Sequence, residues 1–428
     1  MRQKVRWKEY IYIIIFLISC LNSYLIYIFL ILIFFKIREG GQGFLKICLL
    51  YTLRQSIVLP GLAIMTGTQS NLKQILILGA ALWILGTYIK RKEGKIPVIC
   101  LPVAAFGISA LISTVFFGSF PVAGAIKVIN FVIVLVAIIV ATIESIEYFD
   151  IEQYMFYAMS FVMMISVCVI PYRGAYVNGS AGMLFQGVWN HPNDFGVICA
   201  IYLAMLLVHY DKIKGKQLVQ ISLVFIMIYL SKARGAMIAA LIILLIYFIV
   251  CGNKYNRIIL ISVITLSIFV IYITPIKDDI GAFFFKGTQN SNSLTEAFSS
   301  RDEVIEVAKN RFLSNPMFGR GLLIPYASGE RSLSFSVKGI EPGNIFLELL
   351  GGTGVIGCIS FFYLILKIFR QSREKYKIYP VVIVAASISE VSFFSVNNYG
   401  AIYYMLLALA IIQFYRKNSI RELPVYFK

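Results

Sequence analysis

Charge is scarce in this chain: 14% of its 428 residues are Asp, Glu, Lys or Arg, against about 25% in a soluble domain. Histidine is scarcer still, with only His191 and His209. These two share no ligand spacing, and neither an HExxH nor a DxD cluster occurs, so no metal is expected. Asp278 and Asp279 are adjacent, so their side chains diverge. A phosphate-binding P-loop is missing, which argues against an ATP-driven pump. A GxSxG elbow is missing too, which argues against a serine hydrolase. The cysteines, at 20, 48, 100, 168, 199, 251 and 358, lie in or beside apolar runs and form no CxxC pair. They read as small apolar packing residues.

Apolar residues are what the chain has, at 59%. At about 20 apolar residues per crossing, that supplies about twelve membrane spans. Soluble, disordered and disulfide-stapled classes are thereby excluded. The net charge of +18 would suggest nucleic acid in a soluble chain. In a membrane protein it reads instead as basic cytoplasmic loops, and no nucleic-acid partner is expected. Apolar runs fall at about 10–35, 43–65, 73–90, 96–117, 121–143, 153–171, 193–209, 217–231, 234–250, 256–275, 345–370, 378–395 and 400–415. The first, of about 26 residues, is too long for a signal-peptide core. The runs are continuously apolar rather than alternating, so they predict helices and not a barrel. The expected fold is an all-α polytopic membrane helix bundle of about 12 transmembrane helices. One long extracytoplasmic loop carries short amphipathic helices.

Basic residues orient the spans. Clusters at Lys90 to Lys95, Lys212 to Lys216, Lys254 and Arg257, Arg370 to Lys377, and Arg416 to Arg421 alternate correctly as cytoplasmic loops. The first 70 residues fit less well. Arg2, Lys4, Arg6 and Lys8 place the N-terminus inside, yet Lys36, Arg38 and Lys46 demand the same side after a single run. With both termini cytoplasmic the count is even. The run at 43–65, with Lys46, Arg54 and Pro60, is then the one expected not to cross fully. Three regions result: an N-terminal transmembrane bundle over 1–275, an extracytoplasmic loop over 276–344, and C-terminal transmembrane helices over 345–428.

This topology gathers polar segments on the extracytoplasmic side. They are Asn190 to Gly196, Ser231 to Gly235, the long loop, Glu341 to Asn344, and Asn397 to Tyr399. A loop of that length without structure of its own would be unusual. Ser300 and Glu303 form a capping box, Val304, Ala308 and Phe312 repeat at helical spacing, and Asn315-Pro316 ends the helix. Arg301 begins that helix, where a basic residue opposes the dipole, and Arg234 stands at the outer mouth of a span. A phosphate or diphosphate at these positions would offset both costs. The alternative for Arg234 is an interfacial anchor. His191 is open between a direct chemical role and capping the turn before a helix. His209, at an inside helix end, reads as structural.

The ordered set of motifs over about 180–370 resembles the O-antigen ligase/polymerase superfamily, bacterial membrane glycosyltransferases acting on lipid-linked glycans. It comprises His191-Pro192-Asn193-Asp194-Phe195-Gly196, Ser231-Lys232-Ala233-Arg234-Gly235-Ala236, an Arg-led loop helix followed by Asn-Pro-x-x-Gly-x-Gly from Asn315, and an Asn-x-x-Leu run with Gly-x-x-Gly from Asn344. The resemblance implies an undecaprenyl diphosphate-linked oligosaccharide donor, with membrane lipid, a chain-length regulator and a flippase as partners. It implies bacterial inner-membrane localisation and no cofactor. Ligases of the superfamily usually carry a histidine before the final asparagine, and here that position is Gly343. The departure favours a polymerase, in capsule, exopolysaccharide or O-antigen synthesis, over a ligase.

In that reading an acceptor sugar hydroxyl attacks the anomeric carbon and the lipid diphosphate leaves, with no need for nucleotide or metal. Arg234, Arg301 and Arg320 are the candidate diphosphate ligands. Glu341 is the candidate base, followed by His191 and Asp194. Asn193, Asn344 and Tyr399 are candidates for binding sugar hydroxyls, with His191 beside them. A ligase to another acceptor would share the donor site. A flippase for the lipid-linked unit would instead require mid-membrane charge and pseudo-symmetric halves; neither is evident, although Lys127 and Glu390 are intramembrane charges by this reading.

Overall fold

The computed structural model describes residues 7–92, 96–179, 182–210, 215–252, 302–323, 343–388, 390–391, 393–396, 399–418 and 426–427. Helix dominates them. In chain order the helices are α1 (Trp7–Ser19), α2 (Ser23–Phe34), α3 (Gly41–Ser56), α4 (Gly67–Arg91), α5 (Cys100–Ile112), α6 (Pro121–Ser145), α7 (Ile151–Cys168), α8 (Pro192–His209), α9 (Gly215–Ser231) and α10 (Arg234–Cys251). After the long loop begins come α11 (Asp302–Ser314), α12 (Ile345–Gln371), α13 (Ile378–Ala386) and α14 (Gly400–Asn418). Sheet is confined to a pairing of β1 (Ile96–Pro97) with β4 (Tyr426–Phe427) and a hairpin of β2 (Tyr176–Gly179) with β3 (Gly182–Phe185). Seven helices among the described residues are long and apolar enough to cross a membrane. The protein is thus an all-α polytopic bundle, as its continuous apolar runs predict. The candidate span at 256–275 lies outside the described residues.

Local chemistry sets the boundaries. Thr66 and Gln69 form a reciprocal capping box at the start of α4. Pro121 and Pro192 occupy first-turn positions of α6 and α8, where a missing N–H costs nothing. The side chains of Asp150, His191 and Asn344 cap α7, α8 and α12.

The helices run between two ends. At the basic end, Arg91 of α4 pairs with Glu144 of α6 at 3.2 Å. Tyr376, just before α13, donates to Glu152 of α7 at 2.7 Å. At the other end lie the starts of α8, α10, α12 and α14.

The first apolar run departs from expectation. It is not one crossing of 10–35 but two short helices, α1 and α2, broken at Cys20 to Asn22 and packed together. Asn22 caps α2 through its side chain, which stops the helix from running through. The break sits at the site end: Ala63 N donates to Cys20 O at 2.8 Å and Gln69 Nε2 to Ser23 O at 2.6 Å. The outer ends of the hairpin return to the basic end, where Lys36 Nζ lies 3.7 Å over the Tyr12 ring. A hairpin rather than a single crossing leaves Lys36 and Arg38 at the same end as the start of α1, while Arg2, Lys4 and Arg6 lie outside the described residues. The run expected not to cross fully holds α3, which is not among the seven helices long and apolar enough to cross; Gly41 packs on Ala141 of α6, and beyond the helix end Val58 N donates to Val188 O at 2.7 Å. Its cations are absorbed inside. Arg54 Nε donates to Ser19 Oγ at 2.8 Å, and its Nη2 donates to Ser19 O and Ala63 O at 2.9 and 2.6 Å. The guanidinium thereby caps the carbonyl end of α1.

The expected span at 345–370 is present as α12, but its helix is broken. At Gly354 the backbone turns to φ 61°, dividing α12 into 345–353 and 355–371. Residues 315–323 fill the break. Arg320 N and Gly321 N donate to the carbonyls of Gly351 and Gly352 at 2.9 and 2.8 Å. Val355 N and Ile356 N donate to Pro316 O and Met317 O at 2.9 and 3.2 Å. Irregular backbone at membrane depth is tolerated only when protein supplies such partners. The two glycine motifs are therefore one device. A Cβ on Gly319 would stand 2.5 Å from the Gly352 carbonyl carbon, and one on Gly354 2.5 Å from the Met317 carbonyl.

Candidate active site

Two helix starts and one connecting segment converge at the site end. His191 adopts the extended conformation before α8, and its Nδ1 accepts from Asn193 N at 3.2 Å. Of the two readings of His191, the cap is the one on view. Asn193, in the first turn, turns its amide outward: Nδ2 donates to Glu390 Oε1 at 3.0 Å. Asp194 Oδ1 accepts from Tyr399 OH at 2.9 Å. The first turn of α8 is thus tied twice to residues 387–399, which join α13 to α14.

Asn344 fastens α12 to the same segment. Its Oδ1 accepts from Phe346 N and Leu347 N at 2.8 and 3.3 Å, and its Nδ2 donates to Ile388 O at 3.0 Å. Ile345 N donates to Ser387 O at 2.9 Å. Asn344 is a capping and docking residue first. The segment itself is anchored from below. Phe393 and Phe394 are buried among Phe106, Phe131, Phe361 and Tyr404, with ring centroids 5.2–5.8 Å apart. Packing of this kind, edge-to-face except for the stacked Phe106–Phe394 pair, fixes orientation as well as burying area. Tyr399 is fully buried, with its hydroxyl on Asp194.

Arg234 is the first residue of α10 and is half-buried. It follows a tight turn in which Ser231 Oγ accepts from Ala233 N at 3.3 Å and Lys232 takes φ 52°. That turn packs on α8 at Gly196, where a Cβ would stand 2.4 Å from Ala233 Cβ. The small residues set the distance between the two helices. They bring the start of α10 beside the start of α8, while α10 packs along α13. The hairpin lies against the same turn, since a Cβ on Gly182 would reach within 3.7 Å of Lys232 Nζ.

Arg320 lies exposed on the inserted loop, with Nε donating to Ser314 Oγ at 2.8 Å. Arg301 and Glu341 lie outside the described residues. The helix that Arg301 was expected to begin is α11, described from Asp302 onward, and the expected capping residue Ser300 also lies outside the described residues. The helix packs against α12 through Ala308 and Gly351.

Sequence reasoning passed over Glu348 and Arg311. Glu348 is buried one turn beyond Asn344, and its Oε1 accepts from Leu323 N at 2.5 Å. Lys127 Nζ donates to Leu323 O at 3.1 Å, so both backbone groups of Leu323, at φ 59°, are held by charged side chains. Arg311 Nη2 donates to the carbonyls of Arg320 and Gly321 at 3.2 and 2.7 Å. The π-helical turn at Ser113–Phe117 presents Ser113 and Thr114 to Gly321 N and Leu322 N, each at 3.1 Å. An acidic residue in the first turn of an apolar span was the available signal for Glu348. Nothing local marks Arg311.

Residues 219–362 match the model of a family described as O-antigen ligase. The matched stretch covers less than half of the chain and contains Arg234, Arg320, Asn344 and the two glycine motifs, together with Arg301 and Glu341. His191, Asn193, Asp194, Glu390 and Tyr399 lie outside it. No curated protein matches the chain.

Proposed function

We propose, supported by the match of residues 219–362 to a family described as O-antigen ligase, that this chain is a polymerase of lipid-linked oligosaccharide repeat units. It would transfer the growing glycan from undecaprenyl diphosphate to an acceptor sugar hydroxyl at the outer face of the bacterial plasma membrane. The basic end would face the cytoplasm with both termini. Capsule, exopolysaccharide or O-antigen synthesis would be its setting, with a flippase supplying the unit and a chain-length regulator limiting the product.

The observation that carries this reading is the convergence of the starts of α8, α10 and α12, with Arg234 opening α10. Helix starts favour anions, and an arginine there is stabilised by a bound diphosphate. The leaving group needs charge stabilisation rather than a metal, and the acceptor needs a base. Arg234 is assigned to the diphosphate, with Arg320 and Arg301 as further cations.

The test is reconstitution in nanodiscs with a lipid diphosphate-linked repeat unit, EDTA and no nucleotide. A product ladder is expected. Arg234→Ala should lower its rate by roughly 10²–10³-fold, as loss of one transition-state donor does. Undiminished activity in that variant would remove Arg234 from the donor site. The family description itself favours a second reading, a ligase to a different acceptor. Label moving to an added second acceptor without a ladder would establish it.

A further inference from the structure

We propose that Ser314 is a positioning residue that pre-sets the Arg320 guanidinium for a diphosphate carried by a lipid. The proposal rests on the reading of Arg320 as one of the cations at the donor diphosphate.

The 315–323 loop closes the break in α12 with backbone groups. The amides of Arg320 and Gly321 reach the Gly351 and Gly352 carbonyls, and the carbonyls of Pro316 and Met317 accept from Val355 and Ile356. None of these contacts uses the side chain at 320. That residue stands exposed between Gly319, at φ 69°, and Gly321, at φ 97°. Closing the break therefore does not call for an arginine at the corner of the loop.

The arginine is nonetheless held. Arg311 Nη2 donates to its carbonyl at 3.2 Å and to that of Gly321 at 2.7 Å. Beyond it, Ser113 and Thr114 take the amides of Gly321 and Leu322. The side chain is fixed as well as the backbone. Arg320 Nε donates to Ser314 Oγ at 2.8 Å, and that hydroxyl gives its own proton to Arg311 O at 2.8 Å. The last turn of α11 thereby orients the hydroxyl, and only its lone pairs face the guanidinium.

A guanidinium can meet phosphate oxygens along its Nε–Nη edge or along its Nη1–Nη2 edge. Ser314 closes the first edge. The second stays open: among the described residues neither Nη has a partner. A solvated arginine samples many rotamers, and a ligand must halt them. Here much of that ordering precedes the ligand. The surroundings point to a lipid as the carrier. Leu313 and Met317, close to the pair in the chain, are more than half exposed, and Phe117 stacks on Phe318 with centroids 5.3 Å apart. A cation among exposed apolar side chains suits the boundary between hydrocarbon and water, where a lipid carries its phosphates.

The experiment titrates undecaprenyl diphosphate into the full chain in nanodiscs of zwitterionic lipid and reads the affinity in a double-mutant cycle. Arg320→Ala should weaken binding about 10–100-fold, as loss of a charge-assisted contact does. Ser314→Ala should weaken it about 3–10-fold with an unchanged melting temperature, and Ser314→Thr, which keeps the hydroxyl, by no more than about twofold. Adding Ser314→Ala to Arg320→Ala should change affinity by less than about twofold, because the serine acts through that arginine. A serine with a merely structural role would weaken binding equally in both backgrounds, and that result overturns the proposal. So does wild-type affinity in Ser314→Ala when Arg320→Ala is impaired. Wild-type affinity in Arg320→Ala overturns the proposal and also removes Arg320 from the donor site. Inorganic diphosphate that displaces the lipid at equal concentration would overturn the lipid-borne ligand. If the cycle holds but the chain transfers no glycan, the polymerase reading fails and the role of Ser314 stands.

Discussion

Glu39 shows how a single carboxylate can carry charge into a bundle. Its two oxygens accept from Lys36 at 2.9 Å and Lys46 at 3.3 Å, and Gln42 adds a third contact at 3.3 Å. Burial pushes its pKa up, but the two lysines outweigh burial and hold it below its ordinary 4.5. A depressed folded pKa means the stabilisation is complete above the unfolded value. It is lost as pH falls from there through the folded value. Acidification from pH 7 to below about 4 should therefore lower the melting temperature in detergent, and Glu39→Gln should flatten that limb while lowering stability at neutral pH. Because Glu39 is 37% exposed, solvent screens the pair, and the change should stay under about 1 kcal/mol. Melting curves at several pH values measure it. The neighbouring case is Arg54, whose fully buried guanidinium finds carbonyls and a hydroxyl. Both basic residues of α3 read in the sequence as reasons for that helix not to cross. Their partners, contributed by the stretches before α3 and by Ala63 beyond it, make them reasons that it packs where it does.

At the scale of the element, the broken α12 is the feature on which the site depends. The first half carries Asn344 and Glu348, and its last carbonyls are closed by the 315–323 loop instead of by its own continuation. Gly354→Ala would add strain at φ 61° and a methyl 2.5 Å from the Met317 carbonyl. The expected result is a loss of about 3 kcal/mol or more, or no folded protein. Gly86→Ala in α4 is the matched control. Nothing lies within 4 Å of its would-be Cβ, so stability should hold or rise by up to about 1 kcal/mol. Thermal melts and folded yield in detergent compare the two; equal behaviour would contradict the interlocked backbone. The sequence displays both glycine motifs, yet their purpose is invisible there. Glycine spacing says that something approaches closely; it does not say that the two motifs approach each other.

For the whole molecule, the arrangement of ends makes a topological statement. Single cysteines replacing Arg38, Lys92 or Arg373 should lie on one side, and those replacing Pro60, Tyr172 or Asn190 on the other. All six positions are exposed. In a background with Cys168, Cys251 and Cys358 replaced by serine, an impermeant maleimide on intact spheroplasts should label only the second set. Labelling at 38 together with 60 would restore the single crossing at 10–35 and contradict the α1–α2 hairpin.

The sequence by itself determined the membrane bundle, because continuous apolar runs admit only helices where no water satisfies the backbone. It also determined which end gathers the polar motifs, because basic loops alternate with the runs. Asn344 was read only as a sugar ligand, whereas the helix cap at His191 was legible, since capping is local chemistry. What lay beyond it were the pairings: Asn193 with Glu390, Asp194 with Tyr399, and the 315–323 loop with the halves of α12. These join residues from 30 to more than 200 positions apart along the chain. No periodicity encodes such contacts; the packing of α8, α10, α12 and the phenylalanine-anchored segment selected them. The hairpin of α1 and α2 was decided in the same way. An apolar run of that length is as compatible with one crossing as with two short helices, and only Asn22, Gln69 and Arg54, acting together in space, chose between them.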